Sequence, residues 1–265
     1  MKEEFLTLEN PFYAYLFGFA QTDGHLYETT RNRGRLRIEI SGRDKKTLLE
    51  FQKRLPFNST ITERVRNTNF SEKYVSVIWS VYDKRFRDWL ISLGFPNGNK
   101  SKIISKPNGQ CSKVDYFRGL IDGDGSLGLT AKGFPFLSLI TSSSSITKEY
   151  LGFLKSITDK KKTSGPNKRD KVYNIAVFKE DAQMVVEQLY YKTCLALPRK
   201  YNKAQEVLSW KRPKTMKRIE NRKRWTIDQD KFILSNSIEL AMKKLERSRR
   251  SIEMRLWRIK SKSNR

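Results

Sequence analysis

Two aspartates, Asp23 and Asp124, each stand immediately before a glycine at the end of an apolar run, 101 residues apart. A carboxylate pair of this kind offers hard oxygen ligands. Two such groups brought face to face repel and resist desolvation unless a divalent cation lies between them. Their surroundings recur with them: Ala14-Tyr15-Leu16-Phe17-Gly18-Phe19-Ala20-Gln21-Thr22-Asp23-Gly24 returns as Asp115-Tyr116-Phe117-Arg118-Gly119-Leu120-Ile121-Asp122-Gly123-Asp124-Gly125. The chain therefore repeats itself once at domain scale. One Asp-Gly alone reads as a helix stop, but two at matched positions after matched apolar runs do not.

The elements that must position these acids follow from the same residues. Gly18 and Thr22, like Gly119 and Gly123, are small residues one helical turn apart, which lets two helix backbones approach closely. Each run closes at a glycine, so two such helices packed side by side bring Asp23 and Asp124 together at one end. Asn10-Pro11 reads as N-cap and first helical residue. Leu26–Thr29 follows as a short strand, and Leu36, Ile38 and Ile40 alternate with Arg35, Arg37, Glu39 and Ser41 as a half-buried strand. Residues 44–55 read as a helix with Leu48, Leu49, Phe51 and Leu55 on its apolar side. Strands at 60–66 and 74–81, joined through Asn67-Thr68-Asn69, and a helix at 84–93 complete the half. The second half repeats the order: Ser112 with Asp115 resembles a capping box, strands lie at 126–130 and 136–141, and a helix runs from 147 to 157. The basic stretch 160–171 is expected to hold a weak strand and a turn, before a strand at 172–178 and helices at 180–191 and 199–210.

Composition bounds the partner. The 265 residues carry 54 Lys+Arg against 28 Asp+Glu, a net charge of +26, which points to a polyanion. No apolar run is long enough for a membrane span, and Met-Lys-Glu-Glu does not open a signal peptide, so an intracellular protein is expected. Cys111 and Cys194 form no CxxC pair and His25 is the single histidine, which argues against zinc and requires no disulfide. Residues 214–265 hold 17 Lys+Arg and 6 Asp+Glu, a net +11. Thr226 and Gln229 open a first helix there, a second spans about 238–245, and a third, 249–259, places Ile252, Leu256 and Ile259 on one face with Arg249, Arg250, Arg255 and Arg258 on others, as a recognition helix is built.

Leu16–Gly24 and Phe117–Gly125 resemble the two signature helices of monomeric LAGLIDADG homing endonucleases, the second copy more closely; the first has Gln21 where the family often has a second acid. The tail resembles a Myb/SANT-like or homeodomain-like helix-turn-helix unit. The resemblance implies an α+β fold of two pseudo-symmetric αββαββα half-domains packed through their first helices, at 1–98 and 112–212, with a linker at 99–111 and a basic three-helix tail at 213–265. It implies a monomer that cuts both strands of double-stranded DNA at a long, asymmetric site and leaves short 3′ overhangs. Such cleavage serves intron or gene homing, in a bacterial or phage-infected cytoplasm or nucleoid, or in an organelle. Asp23 and Asp124, helped by the backbone carbonyls of Thr22 and Gly123, would hold Mg²⁺, with Mn²⁺ or Ca²⁺ able to substitute and Ca²⁺ not supporting cleavage. Lys100 and Lys200 match the family's peripheral basic residues by position, with Lys102 as an alternative to Lys100, and a polar residue ending the second strand falls near Gly42 and Ser142. The strand faces would form a saddle along the major groove, where Arg35, Arg37, Glu39, Arg64 and Arg66 in one half and Ser138, Asn174 and Arg169 in the other are candidates to touch bases or phosphates. The same core also resembles a non-catalytic DNA-binding regulator and an RNA-binding intron maturase. The acid pair favours the nuclease, since a binder has no use for carboxylates at both helix ends.

Overall fold

The Asn10 side chain accepts a hydrogen bond from the Phe12 amide and Pro11 fills the first turn, which starts α1 (Pro11–Asp23) where the sequence places it. Every residue of α1 from Phe12 to Gln21 is buried, and so is every residue of α4 (Lys113–Asp124) from Asp115 to Asp122. A helix covered on all sides needs no polar face, which is why neither run is amphipathic. The computed structural model describes residues 6–30, 33–68, 71–214, 216 and 225–263. Asn69 of the expected turn lies outside the described residues, as do Lys217, Arg218, Arg222, Lys223 and Arg224 of the tail. The chain divides into two units, Met1–Lys211 and Arg212–Arg265.

In the first unit α1 leads into β1 (Gly24–Glu28), β2 (Gly34–Ser41), a 3-10 turn (Gly42–Asp44), α2 (Lys45–Arg54), β3 (Ser59–Thr68), β4 (Ser71–Val81) and α3 (Lys84–Ser92). The strands form an antiparallel sheet in the order β1-β2-β4-β3. Its inner face, with Leu26, Leu36, Ile38, Val77, Trp79 and Val81, meets Leu48 and Phe51 of α2 and Phe86 and Leu90 of α3 in one core. Leu49, expected on the apolar side of α2, is 44% exposed; it follows the buried Leu48 by one position and so turns away from the sheet.

After α4 come β5 (Gly125–Leu129), β6 (Pro135–Thr141), α5 (Ser144–Thr158), β7 (Tyr173–Phe178), α6 (Glu180–Leu189) and α7 (Pro198–Ser209). The α+β order agrees with the expected half-domain plan except at one place. Among the described residues the second sheet has only the order β5-β6-β7, and the expected strand within 160–171 is not formed. Six Lys+Arg, Gly165 and Pro166 in twelve residues leave no alternating apolar face to bury, and proline cannot donate to a ladder. Ser112 also departs from a capping box: its hydroxyl bonds the Asp115 carboxylate, which in turn binds Arg118, and no side chain caps α4.

The second unit carries α8 (Ile227–Ser235), α9 (Ile238–Leu245) and α10 (Arg249–Ser263) around buried Ile233, Ala241 and Ile252, with Leu256 and Ile259 packed against them. Thr226 caps α8 by accepting from the Gln229 amide, while the Gln229 side chain accepts from Arg247 at 3.0 Å instead of closing the box. Among the described residues no helix is long and apolar enough to cross a membrane.

Candidate active site

Two glycines bring the carboxylates together. A Cβ at Gly18 would overlap the Tyr116 carbonyl oxygen and one at Gly119 the Tyr15 carbonyl oxygen, so α1 and α4 pack with backbone against backbone. The contact is reciprocal in hydrogen bonds too: the Tyr15 hydroxyl donates to Asp122 Oδ2 at 2.7 Å, and the Tyr116 hydroxyl donates to Gln21 Oε1 at 2.6 Å. Both pairs obey the 101-residue interval. At the end of the interface, a Cβ on Gly123 would run into the Thr22 side chain and stand 2.8 Å from Asp23 Oδ2. The end of α4 thus lies against the Asp23 carboxylate.

Lysines seal both helix ends. Lys100 Nζ donates to the carbonyls of Ala20 at 3.3 Å, Gln21 at 2.5 Å and Thr22 at 2.6 Å; Lys200 Nζ donates to those of Ile121 at 2.5 Å, Asp122 at 2.6 Å and Gly125 at 2.9 Å. A cation there complements the negative end of a helix dipole. Lys102 is exposed, so of the two candidates it is Lys100 that reaches the helix end. With three acceptors each, neither ammonium keeps an N–H for a phosphate, and the Thr22 carbonyl, expected to face a metal, is one of those acceptors.

Asp23 and Asp124 are open to solvent, yet the packed helix ends strip away hydration. Asp23 is pushed up to about 6, by that loss first and by the Asp124 charge second, against the pull of Lys100 and Lys200; Asp124 is raised by lost hydration, with the same lysines opposing. Burial pushes Lys100 and Lys200 each down to about 8, although the acids hold them up. Each acid opens on a cavity. One, of about 220 Å³, joins Asp23 to Ser41, Arg43, Arg66, Gly123 and Arg199; the other, of about 300 Å³, joins Asp124 to Thr22, Lys100, Ser101 and Ser142. The partner of Ser142 is therefore Ser41, one residue before the expected Gly42. Gly42 starts the 3-10 turn, and a Cβ there would stand 3.1 Å from Val75 Cγ1.

A metal fits this donor set. Among the described residues no group of three or more His, Cys, Asp or Glu gathers, but two raised, solvent-reached carboxylates form an oxygen-only pair. That sparse shell suits a cation that keeps waters and takes substrate oxygens, as Mg²⁺ does.

The remaining candidates separate. Arg35, Arg37 and Glu39 lie on the outer face of β2, opposite buried Leu36 and Ile38, and Arg64 and Arg66 sit on exposed β3 in register with Ser76 and Tyr74. Glu39 is not free to read a base: Arg37 Nη2 and the Ser76 hydroxyl each donate to it at 2.7 Å and Arg66 lies 3.7 Å away, and these partners hold its carboxyl below the usual range despite some burial. Ser138 and Asn174 lie on the outer face of the second sheet. Arg169 does not; it occupies an exposed turn and forks onto neighbouring Asp170 at 2.8–2.9 Å. In the tail, Arg255 ties α10 to α8 through both oxygens of Asp230, at 2.7 and 2.5 Å, and Arg249 pairs with Glu253 at 3.0 Å. Arg250 and Arg258 are exposed.

Sequence reasoning missed the role of Asp122. It is buried, accepts from Tyr15, from the Tyr190 hydroxyl and from the Leu197 amide, all at 2.7 Å, and burial raises its carboxyl above the ordinary range. The recurrence of Tyr15 at Tyr116 was the available signal. Also unforeseen was the ion pair of Arg199 with buried Asp44, at 3.0 Å, which joins the two halves beside the Asp23 cavity.

No family model and no curated protein matches the chain. Among solved structures the chain is similar to the homing endonuclease I-WcaI bound to its DNA recognition sequence, with 16% identity and a TM-score of 0.49 over 78% of this chain and 90% of that one. It is also similar to the I-SmaMI LAGLIDADG homing endonuclease bound to cleaved DNA, at 10% identity and TM-score 0.48 over 74% and 86%, and to I-GzeII in complex with its DNA target, at 13% and 0.44 over 74% and 87%.

Proposed function

We propose that this chain is a divalent-metal-dependent, site-specific double-strand DNA endonuclease of the LAGLIDADG homing type, acting as a monomer. The observation that carries the reading is the meeting of Asp23 and Asp124 at the ends of two helices whose glycines permit no separation. A purely structural helix pair has no reason to collect two mutually repelling carboxylates at its open end. Mg²⁺ bound by this pair supplies charge neutralisation at the scissile phosphate and a water made nucleophilic near neutral pH. The chain's own part is placement. Ionised Asp23 and Asp124 would hold the cation, beside the close packing of Gly123 on the Thr22 side chain. Lys100 and Lys200 pin the helix ends and set positive charge behind the acids, so we assign them as positioning residues. The two cavities beside the acids give each strand its own approach, flanked by Ser41 in one and Ser142 in the other. The outer sheet faces, with Arg35, Arg37, Arg64 and Arg66 in one half and Ser138 and Asn174 in the other, lie along the duplex, and exposed Arg250 and Arg258 of the tail add contacts to flanking DNA. Incubating the full chain with a randomised duplex library in Mg²⁺ and sequencing the cut ends tests this. A defined double-strand break absent with EDTA is expected; no enriched cut sequence would remove the endonuclease reading.

A further inference from the structure

The two outer sheet faces occupy the same frame but carry different chemistry. Gly24 pairs with Ile38 as Gly125 pairs with Leu139, so the 101-residue interval holds through the second strand of each sheet. Arg35, Arg37 and Glu39 are replaced by Phe136, Ser138 and Ile140. Across the next strand, Ser80 gives way to Ala176 and Ile78 to Asn174, as the pairings of Arg37 and Glu39 with β4 and of Ser138 and Ile140 with β7 show. Phe136 pairs with Phe178. Phe178 is 51% and Ile140 46% exposed, so two large apolar groups face water on this sheet, Ile140 in the place of the Glu39 carboxylate, while Phe136 takes the place of Arg35. Around this uncharged floor stand exposed Lys132 and Lys171, with Lys179 over Phe134; the 160–171 stretch adds Lys161 and Lys168, while its Lys160 and Lys162 are held by Asp181 of α6 and its Arg169 by Asp170. A cationic rim about an apolar floor suits a duplex, whose phosphates meet the rim while base edges meet the floor. Phe136, Ile140 and Phe178 are too few to core a stable protein interface.

Resting on the endonuclease reading, we infer that the two half-sites are read by different chemistry: β1–β4 by arginine hydrogen bonds to guanine edges, and β5–β7 by apolar contact with thymine methyl groups, with Asn174 placed for adenine. Guanine offers two acceptors to a guanidinium in the major groove. Thymine is the base that presents a methyl there, and asparagine matches the adenine edge. Ile140 lies at the end of β6 that lines the Asp124 cavity, so its base is near the cut, while Phe136 and Phe178 meet bases further out.

The test uses the full chain and a duplex selected from a randomised library. Replacing thymine by deoxyuridine removes only the 5-methyl group. In one half-site each replacement under an apolar side chain is expected to weaken binding about fourfold, the worth of one buried methyl; in the other half-site Kd should stay within twofold. Phe178→Ser and Ile140→Ser, at exposed positions that tolerate polar groups, should weaken the thymine duplex and abolish its advantage over the deoxyuridine one. Equal responses in both half-sites, no response in either, or a deoxyuridine effect that survives in both variants would overturn the inference while leaving the nuclease in place. Failure of the library to yield any selected duplex would instead remove the nuclease reading on which it rests.

Discussion

The helix interface and the two sheets follow opposite rules. At the interface, residue type and geometry repeat: Gly18 with Gly119, Tyr15 with Tyr116, Lys100 with Lys200, each making the same kind of contact in its own half. On the sheets the frame repeats and the chemistry does not. Among the described residues one has an Arg-rich outer face and four strands, the other an uncharged outer face and three. What positions the acids is held fixed, and what faces outward is free to diverge, because a sheet's outer side chains can change without disturbing the inner face that carries the core.

The sharpest way to break the symmetric part is at the acids. Asp23→Asn and Asp124→Asn keep the shape and remove the charge a cation needs, so each should reduce cleavage about 10³-fold while duplex affinity stays the same or rises. A nicking assay on each strand sharpens the comparison. Given how closely Gly123 approaches Asp23 Oδ2, a cation shared between the carboxylates is expected, and each variant should fail on both strands. Cleavage at the wild-type rate in Mg²⁺ by both would remove the mechanism. Next in size is the packing itself. Gly119→Ala places a methyl group onto the Tyr15 carbonyl and should cost about 3 kcal/mol in denaturant unfolding. Gly152→Ala, in α5 with nothing near its Cβ position, should instead stabilise by about 0.5–1 kcal/mol. Equal effects at the two sites would mean α1 and α4 are not in backbone contact.

The one place where the interface breaks its own repeat gives the next test. Asp122 receives three donors, whereas its counterpart Gln21 receives one, from Tyr116, and donates to the Ser105 carbonyl at 2.9 Å. Asp122→Asn turns an amide group toward a donor, and Gln21→Glu sets a carboxylate against a carbonyl oxygen. Either should cost about 2 kcal/mol of unfolding free energy. If the two positions of the repeat were interchangeable, Gln21→Glu would instead be neutral.

These contrasts also mark what the sequence could and could not show. Covalently local signals were legible: the Asn10 and Thr226 caps, the strand parity of Leu36 and Ile38, and the paired Asp-Gly ends that carry the site. Partners brought together by pairing were not. Glu39 reads as a free acceptor until Ser76, from a strand 37 residues on, is laid beside it. Arg255 reads as a recognition residue until Asp230 takes its Nε and Nη2 donors, and Arg169 belongs to a strand only if Gly165 and Pro166 are overlooked. Asp44 looks like a plain helix start and is the anchor for Arg199, 155 residues away.

Removing the tail should change binding more than chemistry. A fragment of residues 1–211 keeps both acids, so it should cut the same central sequence. It should bind more weakly, with the slope of log K against log salt reduced by about 0.9 for each phosphate that the tail neutralises in the full chain. An unchanged slope would mean that Arg250, Arg258 and their neighbours do not touch DNA.

The smallest effect expected comes from holding the two acids together. Lost hydration and the neighbouring Asp124 charge raise Asp23, and lost hydration raises Asp124; the repulsion between two carboxylates is mutual. A carboxyl that stands higher in the folded chain than in the unfolded one binds more protons when folded. Its ionisation therefore costs stability as pH rises from the ordinary 3.8 through about 6, and the stability it contributes is fully present only below that range. Solvent reaches Asp23 and screens the repulsion, so in metal-free protein Asp23→Asn should raise Tm by only about 1–2 °C at pH 7, with the gain shrinking toward pH 4. Divalent cation reverses the sign, because only the ionised pair binds it. Stabilisation of the wild type by Ca²⁺ should grow as pH rises through about 6 and level off above, and it should vanish in Asp23→Asn. Thermal unfolding at pH 4, 5, 6 and 7 with and without Ca²⁺ reads both. A gain for Asp23→Asn that is the same at every pH would show that the Asp23 carboxyl is not raised in the folded chain.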